Sequence, residues 1–470
     1  MLNAVDALFL SNLEAQLPAG TLRQPEQKYL EEPRGRYAGL AGALACPATV
    51  DEVSLILASA NAARVGVIPY GGGTGLVGGQ VMPEGPAPLL ISLERMNRIR
   101  ALDPAGNVMV AEAGCVLTDV QNAADSVARL FPVSLGSEGT AQLGGLLGTN
   151  AGGTGVLRWG NMRDQCLGLE VVLADGRVMH GLKRLRKDNL GYDLRHLLIG
   201  AEGTLGVITA ASLRLVQRPA RTGAAMLVVR DPAAALALLG LAQARLGEGI
   251  SGFELISGTG LRFLDEVLPQ VRQPFATRPE WTVLIDLGLP AGLQPAAELE
   301  ALFEVAMERG LVSDGVIAHN EAQRGQFWAV REAIPEANRL IGAVSSHDVS
   351  VPLEALPGFI LAASEALVAL GDFRINCFGH VGDGNLHFNV FPPEGVSRAG
   401  YDPLRRAVMD CVHDVVASLG GSVSAEHGVG RMKVADLERY GDPVGVQMMQ
   451  GIKEFLDPRG ILNPGAVLRR

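Results

Sequence analysis

Two hydrophobic rhythms alternate along this chain. "TVDEVSLILASANAA" opens with Thr49 and Glu52 in capping-box spacing and continues at helical period, which predicts a helix. "RVGVIPY", "LLISL" (89–93) and "NVMVAEAG" (107–114) are short apolar runs of strand character, and "LTDVQNAADSVARLF" returns to the helical period. "GLEVVLADGRVMH" predicts a hairpin turning on Asp175-Gly176, and "GTLGVITAASLRLV" a second strand pair. Up to about residue 217 the pattern is that of a glycine-rich α+β region.

From about residue 222 the pattern becomes serial. "GAAMLVVRD" precedes "PAAALALLGLAQARLG", "WTVLIDLG" precedes "PAAELEALFEVAMERGL", and "SSHDVSVP" precedes "LEALPGFILAASEALVALG"; "FRINCFGH" and "LHFNVF" follow. Repeated strand–helix–strand order predicts an antiparallel sheet with helices on one face. The expected organisation is a first domain over 1–217, a second over 218–420, and a segment over 421–470 that returns to the first.

Composition narrows the class. A chain of 470 residues exceeds a single core, and 48% apolar with 19% charged residues describes a folded globular protein. A net charge of -10 argues against nucleic acid as partner, so an anionic substrate needs a local basic pocket. Cys46, Cys115, Cys166, Cys377 and Cys411 are odd in number and scattered, which predicts reduced, mostly buried thiols. "MLNAVDALFLSNLEAQLPAG" reads as an amphipathic helix rather than a signal peptide. "AAALALLGLA" is too short to span a bilayer, and Asp231-Pro232 before it predicts a capped, buried helix. The expectation is a cytoplasmic protein, with peripheral membrane association left open.

"PYGGGTGLVGG" (69–79) carries six glycines in eleven residues, and Gly73, Gly75 and Gly78 satisfy G-x-G-x-x-G with Glu94 downstream. A nicotinamide-binding loop must run straight into a helix. Here Pro83, Pro86 and Pro88 follow instead. What remains is a run of unobstructed backbone N–H groups, an anion nest. Two more glycine clusters, 136–160 and 198–209, suggest a ligand as long as a dinucleotide.

Together with "GSEGTAQLGGLLGTNAGG", "KDNLGYDLRHLLIGAEGTLGVIT", "GHVGDGNLHFNV" and "SAEHGVGRMK", that loop resembles the FAD-linked oxidases of the vanillyl-alcohol-oxidase type, in the branch of D-2-hydroxyglutarate and D-lactate dehydrogenases. The resemblance runs from about residue 35 onward. It implies a two-part FAD-binding domain and a cap domain with an antiparallel sheet covered by helices. By motif, Gly71, Gly72, Gly73, Thr74, Gly75 and Leu76 would hold the FAD pyrophosphate. Ser137, Gly139, Thr140, Gly144, Asn150 and Gly153 would lie on the flavin side. Glu202 and Ile208 would lie at the adenosine end, and Asn463 would approach the ring. The opening loop contains neither His nor Cys, so the flavin is expected to be non-covalent.

The chemistry concentrates in "FGHVGDGNLHFNV". "VGDGN" is a strong turn, so His380 and His387 come from facing strands, and Asn389 shares a face with His387. Glu426-His427 supplies two further groups. Two imidazoles and a carboxylate suit Zn2+, with Mn2+ or Fe2+ as alternatives, although histidines also cap hairpins and fill cores. The resemblance places the metal on His380, His387 and Glu426. His427 is then the base for the substrate hydroxyl, Asn389 a substrate contact, and Arg331 a two-pronged clamp for the substrate carboxylate. Unaided, composition favours Arg331 as an exposed helix residue paired with Glu332 or Glu336.

The expected reaction oxidises a D-2-hydroxy acid to the 2-oxo acid by hydride transfer to flavin N5, with D-2-hydroxyglutarate preferred. Ser346 stands where relatives often carry Lys, which keeps D-lactate or another monocarboxylic substrate in view; His347 or Arg374 are the candidates to compensate. Electrons would pass to an electron-transfer flavoprotein, a quinone or a cytochrome, and a homodimer is expected. Competing readings are a non-catalytic flavin-binding subunit, a nicotinamide dehydrogenase and an aryl-alcohol oxidase. The intact His380, His387, Glu426 and His427 set opposes the first, and 5% aromatic residues oppose the last.

Overall fold

The computed structural model describes residues 1–469. The chain forms two compact units. One comprises Met1–Gly153, Gly160–Arg218 and the chain from Glu426 onward; the other comprises Thr154–Trp159 and Pro219–Ala425.

In the first unit, β1 (Ala43–Ala45), β2 (Val67–Tyr70) and β3 (Leu89–Ser92) run parallel in the order β1-β3-β2, with the short strand Leu22–Arg23 antiparallel at the edge. Helix α1 (Val50–Ala63) carries the crossover. Thr49 accepts from the Glu52 amide, and the helix ends where Arg64 turns left-handed at φ 54°. Val53, Ile56, Leu57 and Ala60 recur at helical spacing and are fully buried against the parallel sheet. A second, antiparallel sheet follows: β4 (Ile99–Asp103), β5 (Val108–Glu112), β6 (Cys166–Val172), β7 (Val178–Gly181) and β8 (Val207–Arg214), in the order β4-β5-β8-β6-β7. The expected hairpin at Asp175-Gly176 forms between β6 and β7. The expected strand pair in "GTLGVITAASLRLV" does not form. Gly203 turns the chain at φ 71°, and β8 is one strand flanked by β5 and β6, so both its edges are already paired.

The second unit is built on a seven-stranded antiparallel sheet. Its strands are β9 (Arg221–Val229), β10 (Ile250–Ser257), β11 (Trp281–Leu289), β12 (Val312–Ile317), β13 (Ser345–Ser350), β14 (Arg374–Gly379) and β15 (Asn385–Phe391), in the order β12-β9-β11-β10-β14-β15-β13. Helices cover both faces, not one. Pro232–Leu246, Pro295–Glu308, Leu356–Val368 and Arg405–Ser418 pack on the first face, and Gly258–Val267 with Glu321–Ile341 on the second. The reason is visible in β11, where every residue after Trp281 is buried, so neither face could be left to water. The helix at Pro232 is capped by Asp231, as its Asp-Pro start predicts. All five cysteines are free, and four are buried.

Candidate active site

The first unit carries an anion cradle. β2 delivers the chain at Tyr70 into the loop from Gly71 to Leu76. None of those six amides donates to an acceptor among the described residues. Gln80 braces the loop from behind, its Nε2 donating to the carbonyls of Gly75 at 2.7 Å and Gly73 at 3.4 Å. At Gly72 a Cβ would fall 2.0 Å from the Thr140 carbonyl oxygen, so only glycine lets the loop lie against 137–140. Half-buried amides without partners, on a loop too tight for side chains, fit a pyrophosphate. The next regular element is β3, not a helix, which removes the nicotinamide reading. Glu94 is likewise committed to the fold: it accepts from the Tyr29 hydroxyl at 2.6 Å and pairs with Arg23.

The other predicted cofactor residues are gathered in the same unit. Gly144 donates to the Ala113 carbonyl at 2.7 Å, at the start of helix Leu143–Thr149, and Asn150 closes that helix at φ 51°. At Gly153, φ 109° and a Cβ position 2.0 Å from the Ser134 carbonyl require glycine. Ile208 is buried in β8. Glu202 and Asn463 act as pins. The Glu202 carboxylate accepts from the amides of Val429 at 2.7 Å and Gly430 at 2.8 Å; burial nevertheless pushes its pKa up. Asn463 donates to the carbonyls of Gly79 at 3.0 Å and Glu202 at 2.8 Å, and accepts from Arg431 at 2.8 Å. Their polar side-chain atoms thus tie the returning segment to the glycine loops.

The second unit gathers His380, His387, Asn389 and Arg331 around β14 and β15. His380 follows β14, the chain turns through Val381–Asp383 with Gly384 at φ 83°, and β15 returns with His387 opposite Phe378. The two imidazole centroids are 5.6 Å apart. Each imidazole turns Nδ1 towards a carboxylate. His380 Nδ1 is 2.6 Å from Oε1 of Glu254, and His387 Nδ1 is 3.8 Å from Oδ1 of Asp348. The 2.6 Å contact at His380 Nδ1 leaves its Nε2 as the ligating atom, while the 3.8 Å separation at His387 is an electrostatic contact only. Neither carboxylate was identified from the sequence. Glu254 lies on β10, an element the sequence pattern did not single out, and Asp348 faces His387 in the β13–β15 register.

Arg331 is only 5% exposed. The expectation of an exposed arginine paired with Glu332 or Glu336 therefore fails. Its Nε donates to Oε2 of Glu254 at 2.7 Å, while its Nη groups donate to nothing among the described residues. Burial would push the Glu254 pKa up, but the His380 and Arg331 charges outweigh it and hold the carboxyl well below the usual range. Asn389 is buried on β15, between Ser346 and Asn376 in register. Arg374 is ion-paired with Glu266 at 2.9 Å, and His347 packs against His413 with centroids 5.2 Å apart. His347 also alternates with Ser346 and Asp348, so it points to the opposite face of the sheet. Neither residue stands in for a cation at Ser346.

Glu426 is the residue after Ala425, where the second unit ends. The Ala425 amide donates to the Asp348 carbonyl at 3.2 Å, and Asp348 is the register partner of His387. Within the first unit the Glu426 carboxylate accepts from the Gly153 amide at 2.7 Å. His427 is half-buried one residue further on.

Comparison with known proteins fits this arrangement. The family model for FAD linked oxidases, C-terminal domain, matches residues 218–467, and that for the FAD binding domain matches residues 41–181. The chain belongs to the FAD-linked oxidases. It is 38% identical over 436 residues to a probable D-2-hydroxyglutarate dehydrogenase, mitochondrial, of Oryza sativa subsp. japonica, covering 92% of this chain and 76% of that protein. A D-2-hydroxyglutarate dehydrogenase of Xanthomonas citri pv. viticola is 38% identical over 90% of this chain and 88% of its own length. The mitochondrial enzyme of Bos taurus is 36% identical over 98% and 83%. Among solved structures, p-cresol methylhydroxylase superposes with a TM-score of 0.77 at 16% identity, covering 99% of this chain and 98% of that one. Alkyldihydroxyacetonephosphate synthase gives 0.73 at 16% identity, covering 98% and 85%. These two establish the vanillyl-alcohol-oxidase-type α+β fold. The cytoplasmic expectation is corrected here, because the rice and bovine relatives are named as mitochondrial proteins. No helix among the described residues is long and apolar enough to cross a membrane.

Proposed function

We propose that this FAD-dependent D-2-hydroxy-acid dehydrogenase uses a divalent metal beside the flavin and takes D-2-hydroxyglutarate as its leading substrate. The observation that carries the reading is the pair of imidazoles whose Nδ1 atoms face Glu254 and Asp348. The substrate named for the rice, Xanthomonas and bovine relatives supports the choice of acid. The unit of Met1–Gly153, Gly160–Arg218 and the chain from Glu426 onward holds the cofactor, and the unit of Thr154–Trp159 and Pro219–Ala425 holds the substrate, so the expected boundaries at 217 and 420 shift by a few residues and 154–159 changes sides.

Arg331 presents its two Nη groups to the substrate carboxylate and fixes which face of C2 is offered. Asn389 donates to a substrate oxygen. His380, His387 and Glu426 would hold the metal, zinc first and Mn2+ or Fe2+ as alternatives, and its charge would lower the pKa of the substrate hydroxyl. His427 takes the hydroxyl proton; Glu426, as a ligand, is a weaker base. FAD, when bound non-covalently, would supply N5 as acceptor for the hydride leaving C2. Loss of that proton and hydride yields the 2-oxo acid, and the two electrons leave to an electron-transfer flavoprotein, a quinone or a cytochrome.

One observation favours a second reading, D-lactate or another monocarboxylic acid. Ser346 is neutral and exposed, and Arg374 is already engaged by Glu266. Steady-state turnover of a panel of D- and L-2-hydroxy acids with a dye acceptor, before and after EDTA, tests both. Turnover of D-acids that EDTA abolishes and a divalent metal restores is expected. Undiminished turnover in EDTA would refute the metal, and exclusive turnover of L-acids would refute the substrate class.

A further inference from the structure

Glu254 touches two residues assigned different tasks. Oε1 lies 2.6 Å from His380 Nδ1 and Oε2 lies 2.7 Å from Arg331 Nε. The three side chains are 1%, 9% and 7% exposed, so no water competes for those bonds. They come from three separate elements, β10, the end of β14 and helix Glu321–Ile341. We propose that Glu254 is a positioning residue that locks the metal-binding imidazole and the carboxylate clamp to one another. The inference rests on the reading of His380 as a ligand and Arg331 as a clamp.

The chemistry of the partners requires a carboxylate. His380 can offer Nε2 to a cation only if its proton sits on Nδ1, where Oε1 accepts it. Arg331 held at Nε cannot turn its fork about the chain axis, so both Nη groups stay aimed one way. Phe378 packs against that fork, its ring centroid 4.7 Å from the guanidinium carbon. Both partners are donors, and an amide in place of Glu254 would set an NH2 against one of them. A 2-hydroxy acid carries its hydroxyl and its carboxylate on adjacent carbons. A single rigid group that spaces the two binding elements therefore sets the distance the substrate must match. A carboxylate buried this deeply is costly unless fully paired, and both its oxygens are paired here.

The test compares Glu254→Gln and Glu254→Asp with wild type, and uses His380→Ala to check the underlying metal reading. Four quantities are measured. Metal retention is read against chelators of graded strength, and FAD content from its visible absorbance. KM and kcat are taken on the D-2-hydroxy acid turned over fastest. The 15N shifts of histidine-labelled, metal-free protein report the tautomer. Glu254→Gln is expected to keep FAD, weaken metal binding roughly 10- to 100-fold, raise KM more than it lowers kcat, and shift the His380 proton away from Nδ1. Glu254→Asp keeps the charge but falls a methylene short, and is expected to degrade metal retention and KM together. Wild-type metal retention, KM and tautomer in either variant would overturn the proposal. Undiminished metal in His380→Ala would instead overturn the metal reading, while the tautomer and KM would still decide the role of Glu254. If Glu254→Gln does not fold, Glu254→Asp decides alone.

Discussion

The guanidinium carbon of Arg331 lies over the ring of Phe378, 4.7 Å from its centroid, with Nε tied to Glu254. The ring contact and the ion pair leave the two Nη groups without an acceptor among the described residues. Arg331→Lys keeps the charge and removes the planar, two-pronged edge. KM for the hydroxy acid is expected to rise roughly 10- to 100-fold, the loss of one strong charge-assisted hydrogen bond. Flavin content should not change. An unaltered KM in steady-state assays would move the clamp elsewhere.

Gly72 offers a test of the cradle that is independent of turnover. Gly72→Ala places a methyl group 2.0 Å from the Thr140 carbonyl oxygen, an overlap of backbone with side chain that neither loop can relieve locally. The purified variant should be pale, with its absorbance near 450 nm largely lost. Full yellow colour would show that the pyrophosphate lies elsewhere.

Ser346 sits opposite Asn389 in the β13–β15 register and on the same face as Asp348 and His387. Ser346→Lys adds a cation there. kcat/KM for D-2-hydroxyglutarate relative to D-lactate should rise at least ~10-fold, the scale of one new charge-assisted contact. A ratio that does not move would place the far end of the substrate away from β13.

Glu112 gives a pH prediction. Its carboxylate is fully buried in β5 and accepts from Arg98 and Arg100 at 3.0 Å each. Burial pushes its pKa up, but bonds from Arg98 and Arg100 outweigh this and lower it below the ordinary value of 4.5. A depressed folded-state pKa means the stabilisation is present above 4.5 and is lost as pH falls through the folded value. Glu112→Gln should cost about 1–3 kcal/mol at neutral pH. Thermal melts of the two proteins should converge as pH drops below 4.5. A gap that stays constant across that window would mean the charge contributes nothing.

Local pattern made parts of the site legible. The glycine loop, the turn between His380 and His387, and the Asp231 cap each lie within a short window, where residue type dictates backbone shape. Glu254 was not legible. Its strand "ISGFELIS" is buried on both sides and shows no alternation, and its partners lie 77 and 126 residues away. The same loss of alternation hid the second layer of helices, since strands covered on both faces resemble any apolar run. The side of the sheet on which His347 points followed from register alone, which no single sequence reveals.

The first unit is discontinuous, and its closing pieces come last in the chain. β2 gains an outer neighbour only when Val67 exchanges hydrogen bonds with Ile461 and Asn463, and Glu202 finds its amides only at Val429 and Gly430. A ribosome that has just finished Arg218 has therefore made the glycine loops but not their clasp. More than 200 further residues, all of the second unit except Thr154–Trp159, must emerge before the clasp can shut. A chain cut short anywhere before the returning segment would carry its glycine loops without the residues that pin Glu202 and flank β2.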